Sequence, residues 1–190
     1  MRRVRAVLVL GVVSVLGLVG LLTSGAIRLN HAGEPGGRLA PELAAILAKP
    51  AKVSAYLIQP NPGMAKEKEN AIAGHAIIAT SKADLGEATA KALAKLLDSK
   101  HAYDGMQARC FLPGVAFRVQ TANQERADLL LCFSCTNFRA ICYAADGKET
   151  RQISGAFGQT PAYRQFLDLA LAAFPDNAEL LKLAKDAKGK

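Results

Sequence analysis

The 190-residue sequence lacks most of the short motifs that announce a reaction. It has no G-x-S-x-G, so the nucleophile elbow of an α/β-hydrolase is absent, and no H-E-x-x-H, so the zincin helix is absent. G-x-x-x-x-G-K-[ST] and G-x-G-x-x-G are also missing, which removes the phosphate-cradling loop and the dinucleotide fingerprint. Cys135-Thr136 is not followed by the histidine that covalent haem attachment requires. No carboxylate pair stands out for glycoside chemistry, and no internal repeat suggests a solenoid.

The sequence does carry an export segment. Met1-Arg2-Arg3-Val4-Arg5 places three cations before any acid, and Ala6 to Leu22 is an apolar run. Ser24 and Ala26 supply small residues at the −3 and −1 positions of a cleavage site. This pattern predicts a hydrophobic export helix whose basic end stays inside while the rest crosses. A run of 17 residues lies between a signal h-region and a full span of about 20. Residues 1–26 therefore read as a signal peptide or as a membrane anchor, with residues 6–22 as the tether. No cysteine stands at the boundary, which disfavours an acylated lipoprotein, and the rest of a twin-arginine signal is missing.

Removing that segment leaves one domain by length and lowers the net charge from +8 to +5, as Arg2, Arg3 and Arg5 are lost. The remaining cations alternate with acids, as in Lys66-Glu67-Lys68-Glu69. The densest basic stretch, Lys182 to Lys190, is interrupted by Asp186 and reads as a solvated helix face. Export and interspersed charge together argue against a nucleic-acid partner. A weak attraction to anionic lipid headgroups is the membrane alternative.

Residues 27–38 are rich in glycine, with Pro35, and read as a flexible linker, which leaves 39–190 as a single domain. Leu39 to Lys49 reads as a short helix with Pro41 in its first turn, stopped before Pro50. Strands are expected at Val53–Ile58 and Ile72–Thr80, then a helix capped by Ser81 or Asp84 and ending near Asp98. Three more strands follow at Val115–Gln120, Ala127–Phe133 and Phe138–Ala144, linked by polar turns near Asn123-Gln124, Ser134 to Asn137 and Asp146-Gly147. Two helices close the chain, one from Thr160-Pro161 and one from Asp176. The order β-β-α-β-β-β-α-α predicts an α+β fold, an antiparallel sheet of about five strands with helices on one face.

Four cysteines, Cys110, Cys132, Cys135 and Cys142, fall within the strand meander. Folding the third and fourth strands together brings Cys110 back towards Cys135, and strand parity puts Cys132 and Cys142 on opposite faces. An even count in an oxidising compartment favours disulfides. Closing Cys110 to Cys135 would stabilise by about 3 kcal/mol in the chain-entropy treatment. A metal reading is open as well: Cys132-Phe-Ser-Cys135 is a C-x-x-C, and four thiolates suit zinc. Thiol–disulfide exchange is the third reading. Redox C-x-x-C pairs usually sit at a helix N-terminus, whereas this one is at a strand end.

Other residues weigh less. His75 in an apolar strand reads as a satisfied core histidine, and His101 as a helix C-terminal interaction; His31 lies in the linker. Ser154-Gly155-Ala156-Phe157-Gly158 reads as a glycine-rich connection before a helix, with anion binding as its sharper alternative.

Cys110-Phe-Leu-Pro113 followed by Ala127-Asp-Leu-Leu-Leu-Cys-Phe-Ser-Cys135 resembles a group of uncharacterised bacterial exported proteins. Those proteins pair a C-F-x-P-R-H element with a hydrophobic strand ending in C-F-x-C. The resemblance spans Val53 to Tyr143. It implies a Cys, His, Cys, Cys ligand set and no particular activity. Gly114 and Val115 stand where that group has Arg-His, which leaves Cys142 as the one thiol to complete a fourfold site.

Overall fold

The computed structural model describes residues 39–63, 70–81, 84–106 and 108–188. The expected export segment and linker, residues 1–38, lie outside them. Among the described residues no helix is long and apolar enough to cross a membrane.

The fold is α+β, with four helices and a curled antiparallel sheet. The strands are β1 (Lys52–Ile58), β2 (Ala71–Ile72), β3 (His75–Thr80), β4 (Val115–Gln120), β5 (Arg126–Cys132), β6 (Asn137–Tyr143) and β7 (Glu149–Ala156). They lie in the order β2-β3-β1-β4-β5-β6-β7. The helices are α1 (Pro41–Ala48), α2 (Gly86–Asp98), α3 (Pro161–Ala173) and α4 (Ala178–Lys188).

Seven strands replace the five expected, for two physical reasons. The apolar stretch Ile72–Thr80 is a hairpin, β2 and β3, paired at Ile72 and His75. Ala73 and Gly74 between them both have positive φ, the backbone of a two-residue primed turn. Alanine rarely takes that conformation, which is why the turn was concealed. The second reason is β7, whose Glu-Thr-Arg-Gln start has no apolar alternation. It is an edge strand, paired only with β6. Ser154, Gly155 and Ala156, expected in a connection, are its last residues. Gly155 is required there, because a Cβ would run into the ring of Phe138 on the facing strand.

Period-2 alternation divides the sheet into two faces. Val53, Ala55, Val115, Phe117, Val119, Ala127, Leu129, Leu131, Phe138, Ala140 and Cys142 join the core that also holds the buried residues of all four helices. From α3 come Ala162, Tyr163, Phe166, Leu167 and Ala170, one apolar stripe at helical spacing. Ala116, Leu130 and Ile141, on the alternate positions, form a smaller cluster on the face the helices leave open.

The helix starts are fixed by side chains. Thr160 Oγ1 accepts from the Ala162 N–H, and Pro161 opens α3. Asn177 Oδ1 accepts from the Leu180 N–H at the start of α4, the cap role expected of Asp176. Asp84 Oδ1 accepts from the N–H groups of both Gly86 and Val53, tying the start of α2 to β1. These bonds, Gly86 first, hold the Asp84 carboxyl below its ordinary value. Ser81, the other expected cap, accepts instead from the Ala55 N–H.

Candidate thiol site

The site lies at one end of the open face, where the β5–β6 hairpin meets the segment before β4. β5 and β6 pair from Arg126↔Tyr143 to Cys132↔Asn137, leaving residues 133–136 as the turn, with Thr136 at positive φ. Phe133 is buried in the helix-covered core, with its ring centroid 5.7 Å from Tyr163 and 6.2 Å from Phe157. That phenylalanine anchors the turn from inside, while Cys132 takes the open-face parity of Leu130.

Residues 103–106 and 108–114 cross this end of the sheet as a strap. Gly105 N–H donates to Ala156 O, Asn137 Nδ2 donates to Ala108 O, and Gly114 N–H donates to Leu131 O. Gly105 passes so close to Ala156 and Gly158 that no side chain would fit. Phe111 packs on the open-face cluster, and the Arg139 guanidinium lies 4.6 Å above its ring. The strap delivers Cys110, which is exposed, to within 2.9 Å of Cys135, sulfur to sulfur.

Cys135 is the centre of the constellation. Its backbone N–H donates to Cys132 Sγ at 3.1 Å. The Ser134 hydroxyl lies 3.4 Å from Cys132 Sγ and 3.9 Å from Cys135 Sγ. Burial raises the Cys135 pKa, but hydrogen bonds from Cys110, Cys132, the Leu112 N–H and Ser134 outweigh it and hold the thiol below its ordinary value. Its neighbours move the other way. The hydrogen bond to Cys135 raises Cys110, and burial raises Cys132. One sulfur is thus favoured as thiolate, with two thiols as its donors.

Cys142 does not join them. It pairs with Ala127 and Arg151 on the helix-covered face, fully buried, and burial followed by the charge of Glu42 pushes its pKa up to about 12. The parity expectation for Cys132 and Cys142 therefore holds, and the four thiols do not share one shell. Among the described residues no group of three or more His, Cys, Asp and Glu side chains is arranged to hold a metal ion.

The histidines are elsewhere in the fold. His75 is buried, with Nδ1 2.8 Å from Gln59 O, a satisfied core residue. His101 is partly exposed, with Nδ1 3.2 Å from Asp104 Oδ2 just past α2.

The sequence reading missed a second feature of the open face. Arg118 makes a bidentate pair with the fully buried Asp128, at 2.7 and 2.8 Å, and lies over Tyr56. Arg126 lies over Tyr143 at 4.2 Å, with its Nε 3.9 Å from Asp128. The signal was available: Asp128 is the one charge in the otherwise apolar run Ala127–Phe133, and it stands opposite Arg118 in the register. The exposed large apolar residues, Ile78, Met106, Leu112 and Leu181, are divided among β3, the strap and α4.

No known protein family, no curated protein and no solved structure matches this chain.

Proposed function

We propose that this chain is an exported α+β domain whose sheet and strap are held together by a disulfide between Cys110 and Cys135. Residues 1–26 direct it across the membrane and are either removed or kept as a tether through residues 6–22. The basic start, the apolar run and the small residues at 24 and 26 support that route. The periplasm or the cell exterior is then its compartment, where disulfides form and persist.

The observation that carries the reading is the 2.9 Å approach of Cys110 and Cys135. A disulfide bond measures about 2.05 Å, so closure needs a shift of about one ångström in an exposed strap. The covalent link would pin the strap across the open face. Cys132 and Cys142 remain thiols in this reading.

The zinc alternative needs Cys142 as fourth ligand, and Cys142 lies on the other side of the sheet. Intact mass of the purified protein, with and without reductant and alkylating agent, together with a metal assay, separates the two. One disulfide, two thiols and no stoichiometric metal is the expected result. Four thiols with one bound zinc would contradict it.

A further inference from the structure

A staple needs two sulfurs, and this site has three in contact with each other through Cys135. We infer that Cys135 is the nucleophile of a thiol–disulfide exchange centre, with Cys110 as its accessible resolving partner and disulfides that carry carboxylates as its substrates. This rests on the Cys110–Cys135 pairing proposed above and adds that the bond is exchangeable.

The geometry supplies what a helix N-terminus supplies in other redox C-x-x-C pairs. Cys110 Sγ at 2.9 Å and the Ser134 hydroxyl at 3.9 Å flank Cys135 Sγ, so a thiolate there has donors at hand. The strand-end position, which weighed against redox chemistry in the sequence, is compensated by the strap. Cys135 itself is buried at 6% exposure, and the side open to solvent is the one that Cys110 covers, next to the strap's exposed Leu112.

The surroundings select the substrate by charge. Arg109 precedes Cys110 and is exposed, and Arg139 covers Phe111, the next residue. Neither forms an ion pair among the described residues. A disulfide bearing carboxylates approaching the strap meets two cations on the residues around Cys110 and Phe111, while a cationic disulfide meets repulsion.

The reaction balances in two displacements. The Cys135 thiolate attacks one sulfur of the substrate disulfide R–S–S–R′. The Cys135–S–R bond forms, and the electron pair of the broken bond leaves on R′–S⁻, which takes a proton from water. The Cys110 thiolate, its proton released to water, then attacks Cys135 Sγ. The Cys110–Cys135 bond forms, and R–S⁻ leaves and is protonated. Two protein thiols are oxidised and one substrate disulfide is reduced to two thiols. The same steps reversed oxidise a substrate dithiol. Cys132 is a second resolving thiol on the buried side of Cys135.

The test uses the purified full-length chain, reduced and then mixed with oxidised glutathione, with acid quench and peptide mapping over time. A transient glutathione adduct on Cys135, resolving to Cys110–Cys135, is expected. Oxidised glutathione should react about tenfold faster than cystamine, its cationic counterpart. Cys135→Ser should slow the exchange about a hundredfold, since only the thiolate is nucleophilic, while Cys142→Ser leaves it unchanged. A first adduct on Cys110 alone would overturn the assignment of the nucleophile. Equal rates with the two reagents would overturn the substrate class. Should Cys135→Ser fail to fold, the order of adducts in the unaltered chain decides by itself. A Cys110–Cys135 bond that forms but resists exchange with glutathione ends this inference and leaves the staple standing; the absence of any such bond ends both.

Discussion

The two faces of one sheet are built from different chemistry. The helix-covered face is mainly apolar, with Phe117, Phe138, Phe157 and Phe166 fully buried and the Phe166 ring packed against those of Phe138 and Phe157. Cys142 sits there as one more small apolar group, its thiol held neutral by burial. Among the described residues the open face has no helix above it. Its cover is made of arginine stems and aromatic rings, with the buried Asp128 carboxylate paired to Arg118 and near Arg126. On that face Cys132, although buried, meets the Ser134 hydroxyl and the Cys135 N–H rather than hydrocarbon alone. Two cysteines ten residues apart, Cys132 and Cys142, therefore differ in chemistry because strand parity turns them to opposite sides.

Substitutions on each face test that contrast. Phe166→Ala removes a ring from the helix-covered core and should cost about 4 kcal/mol in urea unfolding, the largest effect expected. A loss under about 1 kcal/mol would mean that α3 does not pack as described. Asp128→Ala leaves Arg118 without its partner in a largely buried position and should cost about 3 kcal/mol. Stability unchanged by that substitution would show the open face to be far wetter than its burial implies.

Cys110→Ser removes the staple and should lower the stability of the oxidised protein by about 2–3 kcal/mol, with no comparable effect on the reduced protein. An equal loss in both states would assign the effect to packing of the strap. The smallest effect concerns the tie between α2 and β1. The Asp84 pKa is held below its ordinary 3.8 by two backbone N–H groups, so its carboxylate stabilises the fold above that value. That contribution disappears as the pH falls below 3.8 through the folded-state pKa. Asp84→Asn should therefore be less stable than the parent near neutrality, by no more than about 0.5 kcal/mol because the carboxylate is exposed and screened, with the gap closing in acid. A gap that widens in acid would reverse the sign of the assignment.

Much of this was legible in the sequence where patterning is strong. Val115–Gln120 and the apolar strand through Leu129–Leu131 stand where alternation and β-branched content put them. The approach of Cys110 to Cys135 followed from folding two strands about the turn near Gln124, which has positive φ as such a turn requires. The strand count failed where the local signal conflicts with the pairing. β7 begins with charged residues because it is an edge, and the β2–β3 turn uses alanine where Asn-Gly would have announced it. The donors around Cys135 were not legible at all. Leu112 and Ser134 reach it only through the path of the strap and the turn, and no periodicity encodes a loop path.

The central claim is that Cys110, Cys132 and Cys135 form one centre and Cys142 stands apart. A disulfide map of the oxidised protein, with thiols blocked before digestion, tests it most directly. The account predicts a single Cys110–Cys135 bond, with Cys132–Cys135 as the minor isomer and Cys142 blocked as a thiol only after unfolding. A bond from Cys142 to any of the other three would contradict it, because the sheet itself lies between them.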